Sequence, residues 1–184
     1  NRGLSTADMA TLGTLGSVLP ALEKLTLIER SGSAGPGGVQ RLAEGLGAGA
    51  LPAVTDLHTS MHVGDAGASA LAAALGRGAL PRLGTLQLMN AMISDAGLVA
   101  LAPALRRRPA VDCLHLQGNP FGDEGLAALV APSWLPAGAP PLPTGGLKKL
   151  KELNLEDTLI TDAGRAALAA ALDSGALPAL TKLT

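Results

Sequence analysis

Large rings are almost missing from this sequence. Among 184 residues there is one Trp, one Phe and no Tyr, which excludes a conventional core built around aromatic bulk and requires some other way of filling the interior. A single Cys rules out an internal disulfide framework. Charge is scarce as well: 16% of residues carry it and the net value is −1, so there is no phosphate-tracking surface and nucleic acid is excluded as a partner. No GxxxxGK[ST] or GxGxxG loop stands between a strand and a helix, and the GPGG run from Gly35 reads as a turn of a different kind, so nucleotide binding has no support. The uncharged run from Gly125 to Leu147 is not a membrane span. Pro132, Pro136, Pro140, Pro141 and Pro143 would break the backbone hydrogen bonding that lipid demands.

What the chain has in plenty is Gly, Pro and repetition. Gly and Pro number 24 and 13. The openings LPALEKLTL, LPAVTDLHT, LPRLGTLQL, RPAVDCLHL, LKKLKELNL and LPALTKLT share one pattern. Their second residues fall at positions 20, 52, 81, 109, 148 and 178, spaced by 32, 29, 28, 39 and 30 residues. A second shared block follows four of them: GDAGASALAAAL from Gly64, SDAGLVALAPAL from Ser94, GDEGLAALV from Gly122 and TDAGRAALAAAL from Thr161, with GPGGVQRLAEGL from Gly35 standing in for it in the first repeat. The first module alternates apolar residues, as in Leu86 and Leu88 or Leu153 and Leu155, the period of a strand with one buried face. The second has helical spacing, as in Gly164, Leu168, Ala171 and Leu172, with Thr161 or Asp162 placed to cap the helix. Neither module can hide its apolar side alone. Neighbours must therefore stack, strand beside strand and helix beside helix, into a curved solenoid.

The LxxLxL pattern followed by an IxDxGxxALAxAL helix resembles the ribonuclease-inhibitor-like class of leucine-rich repeat over almost the whole chain. The resemblance implies an α/β right-handed horseshoe segment with parallel strands on the concave face and helices on the convex face. The expected organisation is a partial repeat over 1–18, repeats from 19, 51, 80, 108 and 147, and a partial repeat over 177–184. The excess of the long repeat falls in a Pro-rich insertion at about 132–146, which is expected to turn the fourth repeat's helix module into a loop. The family places Asn, Cys or Thr three residues after the second strand Leu to bond the turn backbone. Asn119 and Thr158 fit and His62 approximately so, whereas Arg30 and Ala91 depart, and those two turns need other partners. Small residues such as Gly67 and Gly97 are expected to let the helix approach the sheet. Pro103 is expected to kink or shorten its helix.

Residues between the buried leucines point out of the concave sheet in columns. One reads Thr26, His58, Gln87, His115 and Asn154. Its neighbours read Lys24, Asp56, Thr85, Cys113 and Glu152, and Ile28, Ser60, Met89, Gln117 and Glu156. This mixed, hydrogen-bonding surface suits a polar protein partner. The residues expected to contact it are Thr26, Asp56, His58, Gln87, Met89, His115, Gln117, Glu152, Asn154 and Glu156, with Trp134 in the Pro-rich loop as an anchor. Chemistry is not expected there. His58 and His115 stand about 10 Å apart, and Cys113 and His115 about 6.8 Å apart along one strand, so no metal, cofactor or nucleophilic site is expected. Arg106, Arg107 and Arg108 are read as meeting the negative end of their own helix, and Asp65, Asp95, Asp123 and Asp162 as meeting positive ends.

The leading expectation is a non-enzymatic scaffold or structural subunit of a larger assembly. The alternative is a GTPase-activating protein similar to the Ran regulators, which rests on resemblance of fold alone. Uncapped repeats at both ends imply cover by further repeats or another subunit. Repeats of this class are intracellular and one unpaired Cys agrees, so the cytoplasm is expected, with an organelle left open.

Overall fold

The computed structural model describes residues 4–15, 19–28, 34–108, 110–130 and 147–184. Trp134 and the Pro-rich insertion lie outside them, as does Arg30. Helices and strands alternate: α1 (Thr6–Thr14), β1 (Lys24–Ile28), α2 (Gly35–Gly47), β2 (Asp56–Ser60), α3 (Gly64–Gly76), β3 (Thr85–Leu88), α4 (Asp95–Arg106), β4 (Cys113–His115), α5 (Asp123–Val130), β5 (Glu152–Asn154), α6 (Asp162–Asp173) and β6 (Lys182–Leu183). The six strands form one parallel sheet in strict chain order. Each helix packs on the helix of the next repeat.

The core lies between these two layers. Leu25, Leu57, Leu86, Leu114 and Leu153 face it from successive strands, and Leu42, Leu71, Leu101, Leu129 and Leu168 from successive helices. Phe121 is fully buried among them. Leucine and alanine thus fill a two-layer interior too thin for more rings.

The helices keep the positions that the repeat assigns them, and one of them, α5, is shortened. GPGG is the first turn of α2, with Pro36 where a missing N–H costs nothing. The fourth repeat retains its helix, shortened to the eight residues of α5. Pro103 does not end α4, which runs on to Arg106. Three helices close in the same way. Gly78 takes a left-handed φ of 100°, its N–H bonds to Leu75 O at 3.0 Å and that of Ala79 to Ala74 O at 3.0 Å. Gly49 and Gly175 repeat this reversal after α2 and α6.

The polar positions of the repeat act across repeats. Asp65 Oδ1 accepts from the backbone N–H groups of Ser94 at 2.8 Å and Gly97 at 3.1 Å. Asp95 Oδ1 does the same for Gly122 at 2.9 Å and Gly125 at 2.6 Å. Asp123 accepts from the Thr161 N–H at 2.9 Å and hydroxyl at 2.6 Å, and these bonds hold its carboxyl below the ordinary value. Each carboxylate therefore caps the following helix, beyond any favourable interaction with its own helix dipole. The Gly of the DxG motif follows from this. A Cβ at Gly125 would lie 2.9 Å from Asp95 Oδ1, and at Gly97 or Gly164 it would run into Asp65 or Asp123. Gly97 makes room for a neighbour's carboxylate rather than for the sheet.

The turn left open at Ala91 is closed by the next repeat. Asn119, buried, accepts from the N–H groups of Ala91 at 3.1 Å and Ile93 at 3.0 Å and donates to Leu88 O and Leu116 O, both at 2.7 Å. In the second repeat the corresponding buried residue is Met61, and His62 is exposed. Arg108 reaches back past its own helix: Nη2 donates to Leu75 O at 2.6 Å and Ala79 O at 2.5 Å, at the C-terminal end of α3.

Candidate binding surface

The sheet carries helices on one side, and the three columns predicted from the repeats project from the other. Register pairs Lys24 with Asp56, Asp56 with Thr85, Thr85 with Cys113, Cys113 with Glu152 and Glu152 with Lys182. It likewise aligns Thr26, His58, Gln87, His115 and Asn154. Asp56, His58, Gln87, Met89, His115, Gln117, Glu152 and Asn154 are half-buried, while Thr26 and Glu156 are exposed. Ile28 adds an apolar patch at the β1 edge, 60% exposed.

Two parts of this face differ electrostatically. Burial, with a smaller effect from Lys24, pushes the His58 imidazole below its ordinary value, and its Nε2 is buried without a hydrogen-bond partner. This favours neutral imidazole. At the other end, Cys113, His115 and Glu152 converge. The Sγ of Cys113 lies 3.4 Å from His115 Nε2 and 3.9 Å from Glu152 Oε2. His115 Nε2 is 3.4 Å from Glu152 Oε1, and Lys182 pairs with that same oxygen. The separation along the strand concealed this: side chains two residues apart lean together, and the partner on β5 completes the set. Glu152 stood beside Cys113 in the column alignment, and that was the signal available in the sequence.

The cluster is not arranged as a nucleophilic relay. Burial, reinforced by the charges of Glu152 and Asp112, raises the Cys113 thiol to about 11, opposite to an activated cysteine. Moreover, sulfur and carboxylate face the same ring nitrogen, whereas a relay uses one nitrogen for each. Glu152 is held below its ordinary value chiefly by the Lys182 hydrogen bond.

A leucine rich repeat family model matches residues 112–130 and 146–169. Those residues carry the strand, turn and helix just described. The chain has the fold of a leucine-rich repeat solenoid. Its fold is similar to that of the leiomodin-1 segment solved as actin-binding site 2, at a TM-score of 0.55 and 15% identity, over 98% of this chain and 79% of that one. An internalin from Listeria monocytogenes gives a TM-score of 0.36 at 16% identity, over 100% of this chain and 58% of that one. No curated protein matches the sequence. The α-helix that follows each of β1 to β5 fits the ribonuclease-inhibitor-like pattern, with α5 the shortest. Among the described residues, no helix is long and apolar enough to cross a membrane.

Proposed function

We propose that the chain is a non-enzymatic interaction scaffold that holds another protein on the helix-free face of its sheet. The reading rests on one observation: an in-register column of hydrogen-bonding side chains on parallel strands, exposed at Thr26 and half-buried from His58 to Asn154. Such a surface offers many directional contacts, with exposed Ile28 its apolar element at the β1 edge. Trp134, in the Pro-rich stretch, is a proposed second anchor, and the cytoplasm is the proposed compartment.

The leiomodin-1 segment of similar fold is an actin-binding site, which makes actin the first purified partner to try, followed by proteins found by proximity labelling. For a partner that binds, His58→Glu or Gln87→Arg on the open face abolishes the complex, while Ser69→Arg on the exposed side of α3 leaves it intact. Binding that ignores both open-face changes and is lost with Ser69→Arg defeats the proposal.

A further inference from the structure

We propose that Cys113, His115 and Glu152 form a three-ligand site for a divalent transition-metal ion of the zinc class, with its fourth position open on the exposed face of the sheet. Nothing in this depends on the partner reading above. Among the described residues these are the three His, Cys or acidic side chains whose donor atoms converge, all within 4.8 Å of one another.

Donor chemistry selects the ion. Thiolate, imidazole and carboxylate suit zinc or cobalt, whereas calcium and magnesium take oxygen ligands. Geometry is the stronger argument. A tetrahedral ion with a bond of about 2.3 Å to sulfur and about 2.0–2.2 Å to nitrogen and oxygen needs its donors about 3.4–3.6 Å apart. The observed separations are 3.4 Å for sulfur to nitrogen, 3.4 Å for nitrogen to oxygen and 3.9 Å for sulfur to the second carboxylate oxygen. The nitrogen and the sulfur face different oxygens of Glu152, so ligation through one oxygen requires the carboxylate to rotate. The scaffold is stiff, since all three side chains stand on β4 and β5 with Cys113 and Glu152 directly paired.

Charge also balances. The ion replaces the Cys113 thiol proton, which passes to solvent, and it displaces the Lys182 ammonium from Glu152; thiolate and carboxylate together then neutralise the two positive charges. Lys182, 62% exposed, can swing into water. Three protein ligands and one open position are the arrangement that leaves an ion free to accept water or a partner's side chain.

Cobalt titration of the full chain tests the site. The expected result is one equivalent bound, with a thiolate-to-cobalt charge-transfer band and the intense visible absorption of a tetrahedral ion, both reversed by zinc. Because Cys113 is the chain's one cysteine, the band assigns the sulfur even if a variant fails to fold. Cys113→Ser removes the band, His115→Gln and Glu152→Gln each weaken binding at least about tenfold, and Lys182→Met strengthens it. Absence of a saturable band at millimolar cobalt overturns the site. So does a band that survives Cys113→Ser, or undiminished affinity in both His115→Gln and Glu152→Gln.

Discussion

Asn119 is the residue whose role reaches furthest beyond its own position. Its side chain satisfies two buried N–H groups and two carbonyls, at Ala91, Ile93, Leu88 and Leu116. Removing it leaves those groups unpaired in a dry interior, each at a cost of about 1–3 kcal/mol. Asn119→Ala is therefore expected to destabilise the fold by about 3 kcal/mol or more, measured by chemical denaturation. An effect within the range of a surface substitution would contradict the assignment. The position was legible in the sequence, because Asn three residues after the strand Leu fits the repeat. That it serves the turn at Ala91 was not, because the contact spans one whole repeat.

At the scale of elements, the capping bonds between repeats make each helix depend on its predecessor. Asp95 holds the first N–H groups of the α5 region, and Asp95→Ala is expected to cost about 1–2 kcal/mol in thermal or denaturant unfolding. Gly125→Ala should be destabilising in the native background, where its Cβ would crowd Asp95 Oδ1. In the Asp95→Ala background that clash is gone and helix propensity favours Ala by up to about 1 kcal/mol, while the 3.2 and 3.3 Å approaches to Leu98 remain, so the cost of Gly125→Ala should shrink. Additive costs in the double-mutant cycle would show that the two do not share a contact. The same ladder predicts an acid effect. Asp123 has a lowered folded pKa, so its stabilising contribution is present above its ordinary value of 3.8 and is lost as pH falls through the folded value. Asp123→Asn should remove this part of the stability loss below about pH 3.8, as read from paired acid titrations of the two proteins.

On the scale of the whole molecule, stability is distributed along a stack in which each repeat touches only its neighbours. α4 buries six residues and α6 only Gly164, Leu168 and Ala171. Hydrogen exchange of the 184-residue chain is accordingly expected to show strong protection in β2, β3 and α4 and weak protection in α6 and β6; uniform protection would mean that the stack unfolds as one unit. The sequence by itself determined the architecture, since a strand module and a helix module recurring near 29 residues, each greasy on one side, can be satisfied only by lateral stacking. It determined the columns of the open face too, for alternation along a strand and equivalence between repeats are both properties of spacing. Tertiary structure alone decided which polar groups meet. Asp65, Asp95 and Asp123 reach the next helix, Arg108 the previous one, and Cys113, His115 and Glu152 a common point. Periodicity states which positions are equivalent, but whether two side chains touch depends on the lateral distance between repeats and on rotamers, and neither is written in the spacing of residues along one chain.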